Sequence, residues 1–173
     1  MQCTRDIGQG FCEAAATRAV AGLVVETTAR AVPVSAGWRV DLQVTVVAAD
    51  GAAHLVEDEP IRCSGSAMWI GEGLGHGRGC GIGSAHWPIA VVEVLPGQPL
   101  LLPGPAEDDC CGQVFAPGWE AELTVTIPRV GPQRDALVDP GPVAVVRIRV
   151  AEDGSAELSV APTEGDPVLG GSP

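Results

Sequence analysis

Hydrophobic and polar positions alternate along much of this chain. Between 38 and 47, Trp38, Val40, Leu42, Val44 and Val46 share one parity, while Arg39, Asp41, Gln43 and Thr45 share the other. Period two is strand spacing, so the segment predicts a half-buried antiparallel strand. Trp119, Ala121, Leu123, Val125 and Ile127 repeat the pattern against Glu120, Glu122, Thr124 and Thr126. Residues 143–150 set Ala144, Val146, Ile148 and Val150 opposite Val145, Arg147 and Arg149. Asp153-Gly154 then predicts a hairpin turn into Ala156, Leu158 and Val160. Residues 23–32 are rich in β-branched side chains between Gly22 and Pro33, and Ile89 to Leu95 forms another apolar run. Pro96-Gly97 turns that run into Leu100, Leu101 and Leu102. Asp50-Gly51 is the favoured pair for a two-residue type I′ hairpin. Its return strand, 53–63, is interrupted by Glu57, Asp58 and Glu59, which predicts an edge or a broken strand.

Three segments depart from alternation. Residues 11–21 are rich in alanine, which predicts one short helix ending before Gly22. Residues 103–117 and 131–142 are Pro/Gly loops, the first carrying Glu107, Asp108 and Asp109 before Cys110 and Cys111. Roughly seven to nine short strands with frequent turns, and no alternation of strand and helix, predict an all-β antiparallel sandwich. The organisation that follows is an N-terminal segment with the short helix at 1–21, a sandwich domain at 22–161 and a flexible tail at 162–173. Glu120 and Glu122 on one outward strand face complement Arg147 and Arg149 on another, and would help set a register if those strands pair.

The stretch 115–127, Phe-Ala-Pro-Gly-Trp-Glu-Ala-Glu-Leu-Thr-Val-Thr-Ile, resembles the late strand of bacterial immunoglobulin-like secreted and lipoprotein sandwich domains. Those domains carry an earlier Pro-Gly strand start like Pro96-Gly97. The resemblance covers about forty residues and implies an immunoglobulin-like topology. The usual aromatic is Tyr. Trp119 stands there in this chain, so a phenol hydrogen bond does not carry over.

Composition narrows the function classes. The net charge is −12, and every basic residue is Arg because the chain has no Lys. A surface so acidic, without basic clusters, repels phosphate backbones and anionic membranes, so nucleic acid is not an expected partner. Without Lys there is no Schiff-base amine and no P-loop. No apolar run reaches the ~20 residues needed to span a bilayer. The six cysteines, Cys3, Cys12, Cys63, Cys80, Cys110 and Cys111, are even in number and form no CxxC pair. That favours a disulfide framework in an oxidising compartment over a zinc ribbon. The pairing preferred here is Cys3–Cys12 and Cys63–Cys80, with Cys110 and Cys111 vicinal or split; six reduced thiols in a cytosolic protein are the alternative. Met1-Gln2-Cys3 has no apolar segment before it, which reads as a mature N-terminus behind an added Met, with Cys3 a candidate for lipid anchoring.

Residues 71–83 hold glycine at all seven odd positions. Uniform parity lacks the mixed spacing of the dinucleotide fingerprint, so a phosphate loop is excluded within the run. An extended run would have one bare face, at a cost of about 3–7 kcal/mol for seven glycines. The expectation is an ordered loop or a glycine-faced strand closed by Cys63–Cys80. His76, Cys80 and His86, near Met68 and Glu72, are ligand types that suit copper or zinc. On an extended strand His76 and Cys80 would stand about 13 Å apart, so one metal needs the segment to fold back. The competing reading is a disulfide-bonded Cys80 with solvated histidines. Glu107, Asp108 and Asp109 lack EF-hand spacing and read as a solvated loop. No nucleophile elbow occurs. Trp69 and Trp87 flank the run and either brace it or offer an aromatic binding surface.

These readings lead to one functional expectation: a non-enzymatic, extracytoplasmic binding or assembly module, stabilised by disulfides, with no cofactor and with a protein partner or self-assembly. The alternatives are a periplasmic or surface copper or zinc protein using His76, Cys80 and His86, and an enzyme with an unrecognised site.

Overall fold

A computed structural model describes residues 2–3, 11–69, 78–79, 90–104 and 114–164, with the backbone alone at 2–3, 65–69 and 78–79. The strands in chain order are β1 (Gln2–Cys3), β2 (Cys12–Val20), β3 (Leu23–Val34), β4 (Gly37–Ala48), β5 (His54–Glu57), β6 (Arg62–Trp69), β7 (Arg78–Gly79), β8 (Val91–Val94), β9 (Leu100–Leu101), β10 (Val114–Phe115), β11 (Trp119–Thr126), β12 (Val130–Gly131), β13 (Pro142–Val150) and β14 (Ala156–Pro162). They form a six-stranded sheet in the order β1-β14-β13-β11-β6-β7, a sheet β10-β4-β3-β2 with β9 added to β4, and a small sheet β12-β5-β8. Every strand pair is antiparallel. The protein is therefore all-β and sandwich-like, with β13 and β14 of the large sheet packed against β2 and β3 of the second.

Alternation explains this arrangement. Along β4 the even positions Trp38, Val40, Val44 and Val46 are buried while Arg39, Asp41 and Gln43 face out. Leu123 and Val125 on β11, and Val146, Ile148 and Leu158 on β13 and β14, supply the facing layer. Burying each Leu, Ile or Val contributes about 1.5–3 kcal/mol. The two strands do pair, with Glu120 opposite Arg149 and Glu122 opposite Arg147, but of these only Glu122 and Arg147 form an ion pair.

The helix expected over 11–21 is instead strand β2. Cys12 and Val20 are buried, and Ala14, Ala16 and Arg18 between them are half-buried, while Glu13, Ala15, Thr17 and Ala19 are exposed. A face of small side chains satisfies helix propensity and strand alternation alike. The decision comes from β3, which offers β2 a continuous ladder from Cys12–Ala31 to Val20–Leu23. Arg18 then ties this strand to the other sheet, its Nη1 donating to Pro142 O and, at 2.6 Å, to Thr163 Oγ1.

The type I′ hairpin lies elsewhere than expected. Ala21 and Gly22, between β2 and β3, have φ of 48° and 82°, the doubly positive signature of that turn. Asp50-Gly51 joins no hairpin: β4 belongs to the second sheet, and β5 pairs with β8 and β12 in the small one. Asp50 caps its own bend, accepting a hydrogen bond from Ala52 N at 3.0 Å. The expected return strand is broken into β5 and β6, as the charged interruption implied, though β5 is central rather than an edge. Of the glycine run, the described pair Arg78–Gly79 is strand, set against Ala67 and Ser66 of β6. The rest of the run and most of the tail lie outside the described residues.

Trp38 is fully buried, and its Nε1 donates to Gly154 O at 2.9 Å. Gly37 beside it has φ of 151°, and a Cβ there would collide with the backbone carbonyl of Phe115 on β10. Gly37→Ala is expected to destabilise the fold by about 2 kcal/mol or more, read as a lowered midpoint at unchanged slope in urea unfolding.

Candidate functional site

The residues singled out for metal binding do not come together in the described structure. His76, Cys80 and His86 lie outside the described residues, as do Trp87, Cys110, Cys111 and the acidic run 107–109. Among the described residues no cluster of three metal-ligating side chains occurs. Cys3 and Trp69 are placed by backbone alone, in β1 and in β6 opposite Trp119. Cys12 and Cys63 are buried and disulfide-bonded, and no described cysteine is free. The Cys3–Cys12 and Cys63–Cys80 pairings each rest on a side chain outside the description.

Two ionisable constellations are fully described. The first is at the crossover from β4 to β5. His54 side-chain burial leaves it 7% exposed, and its Nε2 bonds both carboxylate oxygens of Asp50, at 2.9 and 2.8 Å. Ala49 N donates to Gly22 O at 3.0 Å, laying the Ala21–Gly22 turn over this pair. A side chain at Gly22 would meet the His54 ring at 2.6 Å. His54 Nδ1 is buried without a hydrogen-bond partner. An acid orienting an imidazole is half of a hydrolytic triad. The missing half is a nucleophile at Nδ1, and none of the described residues supplies one. The pair's structural work is clear: it pins the turn of one sheet to the first strand of another. The signal available in sequence was an Asp four residues before a His across a Gly turn.

The second constellation is the outer face of the large sheet. Its local structure follows from alternation, since the inward parity of β11, β13 and β14 is apolar and the outward parity is charged. Arg147 Nε donates to Glu122 Oε2 at 2.7 Å. One rung along, Arg149 stands between Glu120 of β11 and Glu157 of β14 in register. Two concavities of about 410 Å³ each open here, and Arg149 and Glu157 line both. The β13–β14 turn walls one of them through Glu152 and Ser155. Ser155 donates from N and Oγ to Asp153 Oδ1 at 2.9 and 2.6 Å. Those bonds, the hydroxyl first, hold the Asp153 carboxyl below the usual range, so the turn stays ionised and shaped. The charge complementarity was legible in sequence; the hollow was not, because it depends on the turn and on the neighbouring strand.

A buried acid elsewhere is structural. Glu57, 4% exposed, accepts from Arg129 Nε at 2.7 Å and joins β5 to the segment entering β12. That bond holds the Arg129 guanidinium above its ordinary value.

No family model matches the chain, and neither does any curated protein or solved structure.

The Asp50 carboxyl is held below the ordinary carboxylate value, first by its hydrogen bond with His54 and then by that from Ala52 N. A depressed folded value stabilises above the unfolded pKa and is lost as pH falls through the folded one. Asp50→Asn is therefore expected to be less stable than the native chain near neutrality. The gap should close as pH drops below about 4, measured by urea unfolding of both proteins across pH; a gap constant with pH would contradict this.

Proposed function

We propose that the chain is a non-enzymatic, extracytoplasmic binding or assembly module, a disulfide-stabilised immunoglobulin-like sandwich that engages a protein partner or further copies of itself. The observation that carries this reading is the outer face of the large sheet, where charged side chains ring two concavities over a fully packed apolar layer. Shape and charge are what a recognition surface offers a partner. His54 is the one described histidine set against a carboxylate, and it is buried beneath a turn. The immunoglobulin-like assignment draws its support from the antiparallel two-sheet packing and from the Pro117-Gly118-Trp119 entry into β11.

The compartment is supported by Cys12 and Cys63, both bonded and both on interior strand faces. Bonded structural cysteines belong to oxidising surroundings. A longer-loop disulfide contributes about 2–4 kcal/mol, which a sandwich with this much alanine in its interior would use.

Thiol titration of the denatured, unreduced protein is expected to find no reactive thiol at Cys12 or Cys63; six reactive thiols would overturn both framework and compartment. Sedimentation of the intact oxidised protein across a wide concentration range tests self-assembly. Growth in mass that is lost when Glu122 and Arg147 are both changed to Ser would support assembly through the charged face. A monomer throughout would sink the self-assembly arm.

A further inference from the structure

The outer face of the large sheet holds a cation that none of the described residues engages. Arg147 closes on Glu122, yet the guanidinium of Arg149, flanked by Glu120 and Glu157 in register, takes part in no ion pair or hydrogen bond among the described residues. Neighbouring strands run about 4.8 Å apart, so carboxylates lie to either side within reach of a rotated guanidinium. The carboxylates of Glu120, Glu152 and Glu157 are equally unengaged among the described residues. All four line the two concavities that share Arg149 and Glu157. Their volume, about 410 Å³ each, falls in the range of small-ligand sites, roughly 300–1,000 Å³.

The unpaired charges in each hollow are one guanidinium, Arg149, and two carboxylates, Glu157 with either Glu152 or Glu120. Their complement is a short molecule with one anionic and two cationic groups. A simple anion meets these carboxylates in a chain of net charge −12 and is repelled. A simple diamine leaves the guanidinium unmatched. A free basic α-amino acid carries the required set at neutral pH: a carboxylate, an α-ammonium and a side-chain cation. We propose that this face binds a free basic α-amino acid. Arg149 takes the α-carboxylate in the bidentate geometry that guanidinium and carboxylate share. Glu157, common to both hollows, takes the α-ammonium. The side-chain cation extends along either hollow toward Glu120 or Glu152. The acidic field of the whole chain raises the local concentration of such a cationic ligand. The proposal goes beyond the binding-module reading by giving that module a small ligand.

Isothermal titration of the intact oxidised protein with L-arginine at low ionic strength tests this. Saturable one-to-one binding is expected, with agmatine, which lacks the carboxylate, weaker by about tenfold or more. Arg149→Gln should weaken L-arginine by about the same factor and leave agmatine unchanged. Glu157→Gln should weaken both. Circular dichroism and thermal melts of each variant report that the sheet is intact. Absence of saturable binding overturns the proposal, as does Arg149→Gln titrating with L-arginine like the native chain. Neither result bears on partner binding or assembly, which sedimentation decides separately.

Discussion

The Trp38 indole is the contact on which the two main sheets depend. Among the described residues it is the largest fully buried side chain, and its one polar atom reaches across the core to Gly154 O in the β13–β14 turn. An indole N–H taken out of water needs an acceptor, and leaving it unmade costs about 1–3 kcal/mol. Where the turn sits is thereby fixed from inside the core. The same turn walls one concavity of the charged face. A core hydrogen bond therefore shapes a surface on the far side of the sheet. Gly37 and Phe115 close the opposite flank of the indole, where bare backbone is required for β10 to lie beside β4.

Elsewhere the sheets are joined by charge as much as by apolar packing. Arg18 reaches from β2 to the ends of β13 and β14, Glu57 holds Arg129 between two strands of the small sheet, and Asp50 with His54 anchors the β2–β3 turn. Exposed pairs such as Arg147 with Glu122 contribute about 0–1 kcal/mol, so that rung matters for register more than for stability. The unmatched rung at Arg149 is different in kind: register already supplies two carboxylates, and the guanidinium engages neither. Charge held ready in a hollow is what a recognition surface needs.

How much of this was legible in the residues varies by element. The inward faces of β4, β11, β13 and β14 could be read one by one, because burial on one side forces period two on side chains. The Glu120–Arg149 and Glu122–Arg147 pairings were legible for the same reason. The helix expected over 11–21 is a strand because alanine carries little signal of period; the ladder offered by β3 decides the state of Cys12–Val20. Asp50-Gly51 has hairpin chemistry, yet the chain there leaves one sheet for another, because β5 finds its partners in β8 and β12. His54 went unnoticed since a lone histidine is informative only once its neighbours are known.

The chain's own pattern thus determined the fold class, most of the strands, their buried faces and the charge of the outer surface. All of these are local consequences of alternation and of turn residues. Only the tertiary structure decided which strands became neighbours, where the chain changed sheets, which acid met His54 and which arginine met Glu122. Those outcomes depend on contacts between residues far apart in sequence, and no local spacing encodes them.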